Sequence, residues 1–409
     1  MNQKHNTKYD LFFIFFFVLI ILFDFLQNII NVSFVSYFDE IIALFGGILL
    51  IKDVLTKKLK KSFFLILFIA FLFYLIEFYV SFSNSYQTIS YILIDSFTIV
   101  KFFLSIYLFI SIGKTGVFER NKNKIVQISH IFTYLLFAFT IIFYLTDFLP
   151  STDIRYGVKC LKLFSSTYSS FASLCIFLLI ILFSFDKTKY KFINCILLSL
   201  MIILTFRNKA IAFLILIWAF YLLKKINSKI LKPVILIFSV FLIFYFCFDQ
   251  FLFYFVKIDN SARNELLKKS FIIANENFFG TGFGSFGSAS SGYSYSNVYY
   301  KYGLNNIYGL SPSTRMYISD NFWPMILGQF GYIGFILYIA LLVYICLKIK
   351  FVQVYEYKFA AFLSIIYLLI NSLAESAFVH PTSLYFAFII GLSLSYSSKI
   401  FNKQNSLIN

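Results

Sequence analysis

Residues Asn275–Gly287 read NENFFGTGFGSFG, with four glycines between positions 280 and 287. The polar run that follows, rich in Gly, Ser, Tyr and Asn, continues to about Ser319. Everything around it is built differently. The 409 residues are 60% apolar and 22% aromatic, and only 13% are charged. Apolar runs of about 18 residues or more recur along the chain, the length needed to cross a bilayer. The glycine-rich stretch therefore divides a lipid-facing chain into two sets of spans.

About twelve spans are expected, at roughly 11–32, 34–51, 62–82, 88–112, 126–147, 166–185, 192–206, 210–223, 233–256, 322–347, 359–378 and 383–398. The fold class read from this pattern is an all-α polytopic membrane protein. It divides into 1–256 (spans one to nine), 257–321 (one long outer loop) and 322–409 (spans ten to twelve and a tail). The first run is too long for a signal-peptide core and lacks a small-residue cleavage site, so it is read as a span.

The net charge is +17, which in a soluble chain would suggest a nucleic acid partner. Here the charge falls in short connections. With Lys4 and Lys8 placed in the cytoplasm, so are Lys57, Lys58, Lys60, Lys61, Lys122, Lys124, Lys187, Lys224, Lys348 and Lys350, and the tail adds Lys399 and Lys403. The short outward connections hold only Arg155, Lys159, Lys162, Arg207 and Lys209. That asymmetry predicts cytoplasmic N- and C-termini and an outward-facing 257–321 loop. No nucleic acid is expected. The five cysteines show no metal or disulfide spacing and are read as apolar fillers.

The loop begins with helical periodicity. Ser261 is positioned to cap it, Leu267, Phe271, Ala274 and Phe278 fall on one expected apolar face, and Gly280 ends it. The glycines permit close approach of a ligand. The tyrosines, Tyr293, Tyr295, Tyr299, Tyr300, Tyr302, Tyr308 and Tyr317, offer flat faces for sugar rings or an interfacial belt. The spacing does not fit a nucleotide fingerprint, since no strand precedes it. Glu77, Asp95, Lys101, His130 and Asp249 are charged or ionisable residues placed in spans, where charge is costly.

The order of four segments carries a resemblance. They are DIRYGVKCLKLFSSTYSSFASL, ILTFRNKAIAFLILI, SARNELLKKSFIIANENFFGTGFGSFG and SPSTRMYISDNFWPMILGQFGYIGFILYIALL. Over about residues 150–395 the chain resembles the O-antigen polymerase and O-antigen ligase superfamily of bacterial polysaccharide assembly. Ligases of that family have a histidine at the loop exit, where this chain has Asp320, which favours the polymerase branch. The resemblance implies a glycosyltransferase of the bacterial cytoplasmic membrane. Its substrate would be an oligosaccharide on undecaprenyl pyrophosphate, extended for O-antigen or capsule. Its expected partners are membrane lipid, a chain-length regulator and a flippase; no cofactor or metal is expected.

Such chemistry needs cations that hold pyrophosphate oxygens and stabilise the charge of the leaving group. Arg207 and Arg263 are the expected catalytic cations, with Asp320 as the base for the acceptor hydroxyl. Arg155, Arg315, Asn321, Glu375, Gly282 and Gly284 are the expected substrate contacts. Glu265 and Glu375 rival Asp320 as the base, and His380 is read as structural. Asp320 or Asn321 would also serve as a helix cap. The competing readings are a ligase that moves finished polymer to another acceptor, and a polysaccharide flippase or transporter.

Overall fold

The computed structural model describes residues 3–30, 33–58, 61–146, 153–228, 230–252 and 261–396. The side chain of Asp249, the boundary at 256/257, and Lys399 and Lys403 lie outside the described residues. The described chain is almost entirely helical. Its helices are α1 (Gln3–Ile30), α2 (Ser33–Ser36), α3 (Phe38–Leu55), α4 (Lys61–Asn84), α5 (Ile89–Gly113), α6 (Val117–Leu145), α7 (Tyr168–Phe185), α8 (Lys191–Leu204), α9 (Asn208–Lys225), α10 (Leu231–Leu252), α11 (Ala262–Glu276), α12 (Ala289–Tyr293), α13 (Asn297–Lys301), α14 (Phe322–Lys350), α15 (Tyr355–Asn371) and α16 (Ser383–Leu394). Each expected span overlaps a helix in its described residues, α1 and α3 to α10 for the first nine and α14 to α16 for the last three. Among the described residues, α1, α4, α5, α6, α7 and α14 contain stretches long and apolar enough to cross a membrane.

The bundle has a centre and a rim. In α7, 94% of the apolar stretch is buried, whereas in α4 it is 6%. Helix α7 is thus the hub, apolar all round because it meets protein on every side. Helix α4 carries exposed Phe64, Phe68, Phe71 and Leu75, as a lipid-facing helix does. Three of the ionisable residues inside the spans find partners, whereas Glu77 is buried with neither carboxylate oxygen partnered among the described residues. Lys101 of α5 lies 2.5 Å from Asp39 and 3.1 Å from Glu40 of α3. His130 lies 3.0 Å from Asp186. Asp95, six residues before Lys101, faces elsewhere and accepts the Gly284 amide at 2.9 Å.

The glycine-rich stretch is not a wet, open bend. Residues 280–288 are buried, wedged between α4, α5 and α14. The reason lies in α14, which is broken at Gly331, where φ is 59° and ψ is −163°. A break strands carbonyls that a continuous helix would satisfy, and stranded carbonyls are costly away from water. The loop supplies the donors: the Thr281 amide bonds Gly328 O at 3.1 Å and the Gly282 amide bonds Gln329 O at 2.8 Å. Gly282 has φ +90°, and a Cβ there would meet the Ser81 backbone at 2.7 Å. The room expected for a substrate head group at Gly282 and Gly284 is therefore filled by α4 and α5.

The rest of the loop folds around its own core. Leu266 and Ile273 of α11 pack with Phe286, Tyr295, Val298, Tyr299, Tyr302, Leu310 and Ile318. Tyr295, Tyr299 and Tyr302 are thus buried core residues, while Tyr293, Tyr300, Tyr308 and Tyr317 stay exposed. Ser261 caps α11, accepting from the Asn264 amide. The buried face of α11 is offset by one residue from expectation: Leu266 and Ile273 turn inward, and Phe271 and Phe278 turn out. Periodicity alone could not distinguish these faces, because Leu266, Leu267, Phe271, Ile272 and Ile273 form two overlapping stripes.

Candidate functional site

Five segments meet at the end of the bundle where α8 turns into α9 and α14 begins. The first is a hairpin, β1 (Ile154–Arg155) against β2 (Val158–Lys159). Its two-residue turn, Tyr156-Gly157, has positive φ at both positions, the geometry that matches strand twist. The Cys160 amide bonds Asp153 O at 2.9 Å and closes the hairpin base, and the Leu161 amide bonds Leu204 O at 2.9 Å, which ties the hairpin to α8. The second segment is the α8–α9 corner. Phe206 adopts a left-handed φ of 50°, and its carbonyl accepts from Arg155 at 3.1 Å.

Asp153 is the hinge of this half. Its Oδ2 lies 3.1 Å from Arg207 and 3.3 Å from Arg155. The Arg207 guanidinium stacks on the Tyr168 ring at 4.7 Å. Burial first, and then the neighbouring Arg155 charge, pull the Arg207 pKa down from its ordinary value. Arg207 Nε is buried, and no hydrogen-bond partner for it exists among the described residues.

The other half comes from α9, α11, the loop exit and the α15–α16 turn. Lys209 Nζ lies 2.5 Å from Glu375 Oε1, and Ser169 donates to Glu375 Oε2 at 2.9 Å. Arg263 lies 3.0 Å from Asp320. Burial raises the Asp320 carboxyl above the usual range; Arg263 opposes this, while Glu375 adds to it and Lys209 opposes it. Asp320 thus shares a field with the Lys209–Glu375 pair, and Arg207 feels Glu375 as well, so the halves form one cluster. Among the described residues it contains four cations, Arg155, Arg207, Lys209 and Arg263, and three carboxylates, Asp153, Asp320 and Glu375.

Arg155, Arg207, Arg263, Asp320, Asn321 and Glu375 converge as expected residues of one site. Asn321 precedes α14 but does not cap it; its amide reaches back to Arg263 O at 3.1 Å and fixes α11 to the start of α14. Arg315 is not brought in. It stacks over Tyr295 and donates to the carbonyls of Pro312, Gly292 and Tyr293. Glu265 pairs with Lys268 at 2.9 Å, and His380 bonds Thr382 at 2.8 Å. Lys209, Asp153, Tyr168 and Ser169 are additions. The signals for the first two were adjacency: Lys209 lies two residues after Arg207, and Asp153 two before Arg155, on the same face of an extended segment.

The fold defines a class, an all-α multi-pass membrane protein. Comparison with protein families, with curated proteins and with solved structures returns no match. A narrower reading rests on the cluster and the sequence.

Proposed function

We propose that this chain is a polysaccharide polymerase of the bacterial cytoplasmic membrane, with twelve spans, cytoplasmic termini and the 257–321 loop outside. It transfers a growing glycan from undecaprenyl pyrophosphate to the next lipid-linked repeat unit. One observation carries the reading. Among the described residues, four cations from three separate segments gather around three carboxylates at one end of the bundle, and Arg207 keeps a buried N–H without a partner. A buried unpartnered guanidinium donor is costly unless an anion completes it.

In the reaction, the acceptor hydroxyl oxygen bonds the anomeric carbon of the donor glycan. The bond from that carbon to the pyrophosphate oxygen breaks, and its electron pair leaves with the undecaprenyl pyrophosphate. The hydroxyl proton passes to Asp320. Arg207 and Arg263 stabilise the charge that grows on the leaving group, and Arg155 and Lys209 complete the anion cradle. A carboxyl held above its usual range is a better proton acceptor than an ordinary aspartate. The leaving group supplies the driving force, so no nucleotide is consumed.

The test is the surface polysaccharide of a deletion strain, resolved on a gel. Loss of a polymerase leaves single repeat units on their normal anchor. Loss of a ligase leaves polymer on the carrier lipid, and loss of a flippase leaves no units outside; either pattern contradicts the proposal.

A further inference from the structure

Roughly 40 Å of helix separates the arginine cluster from the far end of α14. There α14 and α15 splay around an apolar cleft of about 440 Å³, a volume within the range of small-molecule sites. Ile349, Phe359, Phe362 and Ile365 line it. Two lysines stand at its edge, Lys350 from α14 and Lys358 from α15. Among the described residues neither has a carboxylate partner. Glu356, two residues before Lys358, is already held by Lys122 at 3.3 Å and Lys187 at 3.0 Å. A third cation, Lys224, stands 4.5 Å over the ring of Tyr355, which also lines the cleft.

We propose that this cleft is a binding site for one anionic glycerophospholipid. Its acyl chains lie against Phe359, Phe362 and Ile365, and its phosphate sits between Lys350 and Lys358. Charge complementarity selects the occupant. An apolar cleft facing lipid accepts any acyl chain, but two unneutralised lysines at its rim favour a head group with net negative charge, as juxtamembrane basic residues do in general. The chain's own tail is the wrong occupant: residues 397–409 carry Lys399 and Lys403 and no Asp or Glu. The site is independent of the polymerase reading.

The experiment uses the purified full chain, native mass spectrometry, and either dioleoylphosphatidylglycerol or dioleoylphosphatidylcholine. The wild type should retain the anionic lipid over the zwitterionic one by roughly tenfold. Lys350→Gln with Lys358→Gln should abolish that preference, while Lys57→Gln with Lys58→Gln, at exposed lysines away from the cleft, should keep it. Cys346 lines the cleft and provides a second readout: the anionic lipid should slow its maleimide labelling in the wild type and not in the Lys350/Lys358 variant. Equal retention of both lipids by the wild type overturns the proposal. So does equal loss of preference in the two double variants, which would indicate only general surface charge.

Discussion

The protein handles charge in two ways, and the contrast separates architecture from function. Inside the bundle, Lys101 is enclosed by Asp39 and Glu40, and Asp95 is enclosed by the glycine loop. At the bundle end, Arg155 and Arg207 share the Asp153 carboxylate, and among the described residues cations outnumber carboxylates by one. Lys101 and Asp95 are enclosed and hydrogen-bonded, as the low-dielectric surroundings require, while Glu77 of α4 is buried with neither carboxylate oxygen partnered among the described residues. The cluster at the end is half-buried, and its Arg207 Nε has no partner among the described residues, which is what a site for an anion needs. Removing a residue of the first kind should cost the fold. Removing one of the second kind should cost the reaction.

The largest expected effect is therefore structural. Lys101→Met strands two carboxylates and should destabilise the protein by about 3–5 kcal/mol, seen as loss of the monodisperse peak after detergent extraction. Recovery at the wild-type level would break the distinction. Gly282→Ala comes next. It places a Cβ against the Ser81 backbone at a φ of +90°, and should cost about 1–3 kcal/mol, measured as a lower melting temperature in detergent. If this variant folded normally and lost only substrate affinity, the glycine would be a binding residue after all.

At the bundle end the pattern should reverse. Arg207→Ala and Arg263→Ala should slow chain extension on the order of 10²–10³-fold, while the amount of folded protein stays near wild type. Polysaccharide gels and membrane quantification check both halves. The pH response has a fixed sign. Asp320 acts as a base only when deprotonated, and its raised pKa moves protonation to higher pH than an ordinary aspartate shows. Chain extension should thus fall as pH drops through that raised value, and Asp320→Asn should remove both the limb and most of the activity. An unchanged acid limb in that variant would reassign the base, with Glu375 the next candidate in reach. Arg315→Ala should have the smallest effect, a loss of roughly 1 kcal/mol or less of loop stability with chain extension retained.

Hydropathy was enough to locate the apolar helices, because run length and loop lysines are local properties. It was not enough for their contacts. Leu266 and Leu267 are chemically equivalent, and only the loop core decides which turns inward. The glycines of residues 280–287 and Gly331 read as two separate motifs, yet they form one structure in which the loop satisfies the carbonyls freed by the break in α14. The arginines were legible because four of the five, all but Arg120, fall in the expected outward connections while Lys dominates the inward ones. Their carboxylate partners were less so: Asp153 and Glu375 are about 220 residues apart, and only the folded chain brings both near Arg207. Arg315 shows the limit of the same rule, since a guanidinium binds backbone carbonyls as readily as it binds phosphate.

The most direct test is binding of undecaprenyl pyrophosphate to the purified protein in nanodiscs. The wild type should bind it, Arg207→Ala and Arg263→Ala should each weaken binding by at least about tenfold, and Arg315→Ala should match the wild type. Equal affinity in all four proteins would contradict the assignment of the arginine cluster as the pyrophosphate site.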